Sequence, residues 1–276
     1  MSFLKLESKR FLIFGVANKK SVAYQIATML LEEGAVIDLV VQNEEIAKKV
    51  RQLFPNESIF ICDVEDESSI EQLADGLRQH LADRSLADEQ LRYAGFVHSI
   101  AFADYSGGMK PFYATPKKAF MQALDISCFS LLTISDKLRG LLANDASVVT
   151  ISISSTRMAS ENYGFMAPIK AALDSSLAFL VKSFSEFSEI RFNAVAPGLL
   201  KTSASAGIPG YADSYIYAEQ VIPRKRALRT EEAAATAVFL LSPRASGINA
   251  QKIIVDAGME INYFDKKIIK NTVTGE

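Results

Sequence analysis

Short β-rich apolar runs alternate with longer segments of helical period along almost the whole of this 276-residue chain. A chain with that rhythm buries its apolar faces as parallel strands joined by crossover helices. The first unit is complete by Val41. Phe11-Leu-Ile-Phe14 is a short apolar run ended by Gly15, and Ser21 to Glu33 carries Val22, Ile26, Met29 and Leu30 on a helical stripe. Gly34 stops that helix, and Ala35 to Val41 supplies the second strand of a βαβ unit. The same reading predicts further strands over 58–62, 95–100, 147–153, 190–195 and 252–255, seven in all, and helices over 44–53, 67–82, 116–142, 164–187 and 231–241. The expected class is α/β: a doubly wound, Rossmann-like parallel sheet of seven strands with helices on both faces, forming a single domain over residues 1–276.

Two stretches break the alternation. Residues 83–94 are charged and read as a solvated surface excursion. Residues 199–229 carry Gly207, Pro209 and Gly210. They are too irregular for a regular element and too apolar for a free linker, and the part from about 199 to 221 reads as a lid over a substrate site. Its Leu199, Ala204, Ile208, Tyr211, Tyr215 and Ile216 suit an alkyl chain.

Composition excludes several classes of partner. With 49% apolar and 22% charged residues the chain has enough apolar matter for a large core. A net charge of −2 offers no footprint for nucleic acid or an anionic membrane. No apolar run reaches the length of a membrane span, and the N-terminus lacks a signal-peptide core. The two cysteines, Cys62 and Cys128, have no metal-site spacing and make a poor disulfide framework, which fits a reducing cytosol. With His80 and His98 as the only histidines, no metal site is expected, and His98 in its strand-like run reads as a satisfied core residue.

The turn Gly15-Val-Ala17-Asn-Lys-Lys-Ser21-Val22-Ala23 stands where a doubly wound fold receives a cofactor diphosphate, with small residues for close approach and a helix N-terminus beyond. The usual glycine triplet is absent, so the alternative that Gly15 makes a tight turn and Ser21 caps a helix stays open. The second strand ends in Val41-Gln42-Asn43-Glu44-Glu45, amides and then acids, which favours NADH; Lys19 and Lys20 leave NADPH open. Asp63, after the third strand, either meets an adenine amino group or caps the next helix. Beyond the fifth strand, Tyr163 and Lys170 are seven residues apart, two turns if one helix includes both. A lysine ammonium near a phenol favours its ionisation and makes it an oxyanion stabiliser.

Taken together these residues resemble the short-chain dehydrogenase/reductase superfamily, and within it the enoyl-acyl carrier protein reductases. The branch's Gly-x5-Ser-x-Ala turn is matched by Gly15, Ser21 and Ala23, and its Tyr-x6-Lys pair by Tyr163 and Lys170. Gln42, Cys62-Asp63-Val64, His98-Ser99-Ile100-Ala101-Phe-Ala103, Asp125-Ile-Ser127, Arg191 to Val195, Lys201-Thr202, Ala206-Gly-Ile208 and Val255 to Gly258 match in order, over about 8–260. The resemblance implies NAD(P)H-dependent reduction of the 2,3 double bond of an enoyl thioester, on acyl carrier protein or coenzyme A, by a cytoplasmic homotetramer. It implies Tyr163 and Lys170 as catalytic residues. Gly15, Ala17, Ser21, Val22, Gln42, Asp63, Val64, Ser99, Ile100, Ala101, Lys170, Leu199 and Thr202 would hold the cofactor, and Ala103, Ile153, Tyr163, Ala204 and Ile208 the substrate.

The match fails in places. Ten residues before Tyr163 the branch has a second tyrosine, and this chain has Ile153, which donates nothing. Either a shorter loop brings Ser154 or Ser155 to that place, the preferred reading, or the donor is lost. Ala101 and Ala257 replace common glycines, and Pro197-Gly198 resembles the wider superfamily. These departures leave two other functions open: a diverged short-chain reductase acting on another carbonyl or activated alkene, and a cofactor-binding regulatory protein with little turnover. Arg224, Lys225, Arg226 and Arg229 read as a solvated charged face rather than a carrier-protein contact.

Overall fold

The computed structural model describes residues 2–82, 91–159, 164–202, 205, 208, 210–266 and 268–270. Seven parallel strands, β1 (Arg10–Phe14), β2 (Val36–Val41), β3 (Ser58–Ile61), β4 (Tyr93–His98), β5 (Leu142–Ile151), β6 (Arg191–Pro197) and β7 (Lys252–Val255), form one sheet in the order β3-β2-β1-β4-β5-β6-β7. The order reverses between β1 and β4, and the crevice outside the strand tips at that reversal is where open α/β sheets bind ligands.

Alternation along the strands sorts the core onto two faces. Leu12, Phe14, Phe96, Val148 and Phe192 point to one side, against α3 (Glu67–Ala82), α5 (Ser130–Leu138) and α6 (Met166–Phe184). Phe11, Ile13, Leu39, Val97, Val149 and Val195 point to the other, against α1 (Val22–Glu32), α2 (Glu44–Leu53) and α8 (Thr230–Leu241). At the far end of the strands from the crevice, Asp38 is fully buried. It takes hydrogen bonds from Arg10 and Tyr93, each at 2.7 Å, with His80 Nε2 at 3.3 Å. The pairing satisfies a carboxylate that burial alone would penalise.

Three expectations need correction. The helix predicted over 116–142 is α4 (Lys117–Leu124), a π-helical turn (Asp125–Phe129), α5 and a 3₁₀ turn (Arg139–Leu141), with Leu142 already the first residue of β5. The irregular stretch 199–229 contains a regular helix, α7 (Tyr211–Val221). Its apolar residues are spread around its circumference, so no stripe marked it. Tyr93 and Ala94, placed in the surface excursion, begin β4, while 83–90 lie outside the described residues. Among the described residues no helix is long and apolar enough to cross a membrane, and no cluster of metal ligands occurs.

Candidate active site

A cleft of about 740 Å³ opens at the strand tips around the β1/β4 reversal. The turn after β1 forms one wall. Gly15 has φ +92°, a conformation that costs a side-chain-bearing residue strain, and a Cβ there would stand 2.0 Å from the Ser99 carbonyl oxygen. Only glycine lets the β1 and β4 backbones approach so closely. Asn18 Oδ1 accepts from the Lys20 N–H at 2.9 Å. Ser21 Oγ donates to the Asn18 carbonyl at 2.9 Å and accepts from the Tyr24 N–H at 3.1 Å, capping α1. No acid lies in the first turn of α1, so its positive end faces the cleft uncompensated.

At the tip of β2, Gln42 lines the cleft, while Asn43 Oδ1 is committed to capping α2 through the Ile46 N–H at 3.0 Å. Glu44 and Glu45 follow, tied to Arg51 and Lys49. Asp63 lines the cleft beyond β3. Its Oδ1 accepts from the Glu65 N–H at 3.2 Å, while Asp66 is the residue whose oxygens receive the N–H groups of Ser68 and Ser69 where α3 begins.

Lys170 occupies the floor. Its side chain is 3% exposed, and its Nζ donates to the carbonyls of Ile151 at 2.7 Å and Ile100 at 3.4 Å, joining the ends of β5 and β4. Burial lowers its pKa to about 8, against the upward pull of Asp174 one turn further along α6. Nearby, His98 is fully buried. Its Nε2 lies 2.8 Å from Ser130 Oγ, which itself donates to the Ile126 carbonyl. Nδ1 lies 2.9 Å from Thr150 Oγ1. Burial and the nearby Lys170 charge push the imidazole down to about 3, so it is neutral and satisfied.

Gly15, Ala17, Ser21, Val22, Gln42, Asp63, Val64, Ser99, Ile100, Ala101, Ala103, Ile153, Lys170, Thr202 and Ile208 all line this one cleft. Leu199 does not. The turn at Pro197-Gly198 presents the buried Leu200 instead. Tyr163 and Ala204 lie outside the described residues. α6 starts at Met166 and carries Lys170 in its second turn, and the expected pairing with Tyr163 falls on a residue outside the described ones. Pro168 falls within the first turn of α6, where a missing N–H costs nothing. After β5 both Ser152 and Ile153 line the cleft, and neither Ser154 nor Ser155 does. The Ser154 N–H donates to the Pro197 carbonyl at 2.9 Å, which fixes the loop with Ile153 toward the cleft.

Sequence reasoning missed Tyr105 and Met166 in the lining and gave Tyr211 too small a part. Tyr211 Oη accepts from the Leu200 N–H and donates to the Leu200 carbonyl, both at 2.9 Å, and Ser205 Oγ donates to the same carbonyl at 2.8 Å. These bonds staple the segment after β6 to α7. Of the basic cluster, Arg224 makes a two-pronged pair with Glu232 at 2.7 and 2.8 Å, and Lys225 pairs with Asp265.

The enoyl-(acyl carrier protein) reductase family model matches residues 15–260. The NADH-dependent enoyl-acyl carrier protein reductase of Nostoc sp. is 34% identical over 94% of this chain and 98% of its own length. The NADPH-dependent enzyme of Staphylococcus aureus is 30% identical over 92% and 98%. Among solved structures, the NADH enzyme of Aquifex aeolicus superposes with TM-score 0.86 at 30% identity, covering 94% of this chain and 99% of that one. The reductase of Anaplasma phagocytophilum in complex with NAD gives 0.85 at 27%, over 94% and 97%.

Proposed function

The chain belongs to the enoyl-(acyl carrier protein) reductase family, and from that premise we propose that it reduces the 2,3 double bond of a trans-2-enoyl thioester with a reduced nicotinamide dinucleotide, in fatty-acid elongation. The observation that carries the reading is the buried Lys170 ammonium on the floor of a cleft whose opposite wall is a glycine turn feeding an uncompensated helix N-terminus.

The lining residues fit a dinucleotide. Gly15, Ala17 and Val22 leave room for a diphosphate against the N-terminus of α1, and Ser21 keeps that terminus in place. Gln42, Asp63 and Val64 suit the adenosine end. At the tip of β2 the lining among the described residues offers Gln42 and no base for a 2′-phosphate, which favours NADH. Ser99, Ile100, Ala101, Lys170 and Thr202 surround the remaining part. When bound, the nicotinamide supplies a hydride.

The protein's own contribution is orientation, proton delivery and charge. Negative charge develops on the thioester oxygen as the β-carbon is reduced, and Tyr163 is the residue we assign to donate there. Lys170 adds positive potential and holds ribose hydroxyls. Where the resemblance expects a second donor stands Ile153, which offers none, and the Ser152 hydroxyl beside it is given to Asp174. Ala103, Ile153, Ile208 and the segment around α7, with Ala204, form the acyl pocket. The carrier is acyl carrier protein or coenzyme A. We infer a homotetramer from apolar side chains on two surfaces, Met121, Phe129 and Phe179 on the helices and Ile254 on the edge strand β7, all exposed in the single chain. The buried free thiols Cys62 and Cys128 suit a reducing cytoplasm.

Reduced-nicotinamide consumption with a crotonyl thioester tests the reading. Turnover is expected with NADH above NADPH, falling by about 10²–10³ in Tyr163→Phe. Cofactor binding without turnover on any enoyl or keto thioester contradicts it.

A further inference from the structure

Below Lys170, on the next turn of α6, the Asp174 carboxylate stands between three elements. Ser152, the residue after β5, donates its hydroxyl to Oδ1 at 2.5 Å, and Lys252 Nζ, from β7, lies 3.1 Å from Oδ2. Lys252 continues the connection, donating to Thr156 Oγ1 at 2.6 Å and the Ser154 carbonyl at 3.4 Å. Lys170 itself holds the Ile151 carbonyl. Four successive attachments therefore pin residues 151–156, the segment carrying Ile153, to a row of charges that alternates positive, negative, positive.

We propose that Asp174, braced by Ser152 and Lys252, is the positioning residue of Lys170: it keeps the lysine cationic and fixes the cleft wall carrying Ile153. This rests on the reductase reading given above. The chemistry favours a counter-ion here. A buried ammonium loses its hydration, and two backbone carbonyls supply hydrogen bonds without a full opposing charge. The groups facing Lys170 from other elements do not supply one either. His98 from β4 is neutral, and Cys128 from the π-helical turn has its thiol pKa raised by burial. Lys252 from β7 is itself cationic. Asp174 is the acid that acts on Lys170 among the described residues, and it is the residue that holds the lysine's pKa up against burial.

The electrostatic part has a signature that mere loss of packing does not produce. Asp174→Asn keeps the shape and the Ser152 contact but leaves two cations without their shared anion, so the Lys170 pKa falls. Lys252→Met removes a cation and leaves Asp174 to Lys170 alone, so that pKa does not fall, although the 151–156 segment loosens.

The test is the titration of the Lys170 Cε resonance in protein labelled on lysine, assigned with Lys170→Arg, alongside the alkaline limb of kcat/KM for a crotonyl thioester. Asp174→Asn is expected to move the Lys170 midpoint acidward by about one pH unit, with the kcat/KM limb following. Asp174→Glu is expected to restore both, and Lys252→Met to shift neither acidward. An unchanged midpoint in Asp174→Asn overturns the proposal, as does an acidward shift in Lys252→Met. The titration needs no turnover. A shifted midpoint in a protein inactive on every enoyl thioester therefore supports the positioning role and rejects the reductase reading.

Discussion

Two buried nitrogen bases, one at the tip of β4 and one on α6, carry opposite assignments, and the surroundings decide which is which. His98 and Lys170 are both removed from solvent, so burial disfavours the charged form of each. His98 has a hydroxyl on each ring nitrogen and no anion, and it stays neutral. Lys170 has carbonyls and Asp174 beside it, and it remains charged below about 8. A stability prediction follows for His98. Unfolded, it takes a proton below about 6.5; folded, it refuses one down to about 3. Between those limits the unfolded state binds more protons, so stability falls as pH falls, with a slope of up to ~1.4 kcal/mol per pH unit. Denaturant unfolding from pH 7 to 4 is expected to show that slope and to lose it in His98→Gln. An equal slope in both proteins contradicts the assignment. His98 as a core residue was readable from its apolar, strand-like run. Lys170 at the cleft was readable through the resemblance that its Tyr-x6-Lys motif carries. Ile153 was not: counting back from Tyr163 named the position, but only the Ser154 to Pro197 backbone bond decides between Ile153 and the two serines after it.

At the scale of elements, the seven strands and the first helix follow from local pattern, because each β-rich run ends in a residue that changes the backbone path. Gly15 ends β1 and Ser21 opens α1. The cap is the testable part. Ser21→Ala removes the acceptor for the Tyr24 N–H, and about 1 kcal/mol of stability should go with it. Because the same serine stands at the anion-facing end of α1, NADH affinity is expected to fall as well. Isothermal titration alongside thermal melting separates the two, and weaker stability with unchanged NADH affinity would place the dinucleotide elsewhere. Other elements were illegible for physical reasons. The π-helical turn over Asp125–Phe129 inserts a residue's worth of slack between α4 and α5 that periodicity does not register. α7 lacks an apolar stripe because its inner face rests on few residues, Ala218 and Val221 buried and Tyr211 reaching Leu200. Leu199 and Leu200 differ by one position in a turn after a strand, where alternation no longer tells in from out.

At the scale of the molecule, the sheet order brings four sequence-distant turns to one crevice, and that convergence is the reason a chain with few conspicuous motifs has a defined site. The tips of β1, β4, β5 and β6 contribute Gly15, Ile100, Ile153 and Thr202 to the same cleft. The single chain also leaves Ile254 on an edge strand, with Ile261, Tyr263 and Phe264 exposed beyond it. A bare parallel edge of that kind invites pairing. Sedimentation velocity is expected to give a tetramer for the wild type and smaller species for Ile254→Asp; a monodisperse monomer at micromolar concentration contradicts the assembly.

The most direct measurement follows the transferred hydrogen itself. Protein is supplied with reduced nicotinamide dinucleotide carrying deuterium at nicotinamide C4 and with crotonyl thioester, and the saturated product is read by mass spectrometry and NMR. Butyryl thioester with one deuterium at C3 is expected, formed by the wild type and lost in Tyr163→Phe and Lys170→Met. Unreacted crotonyl thioester with every nicotinamide isotopomer, or label delivered to the carbonyl carbon rather than C3, would contradict it.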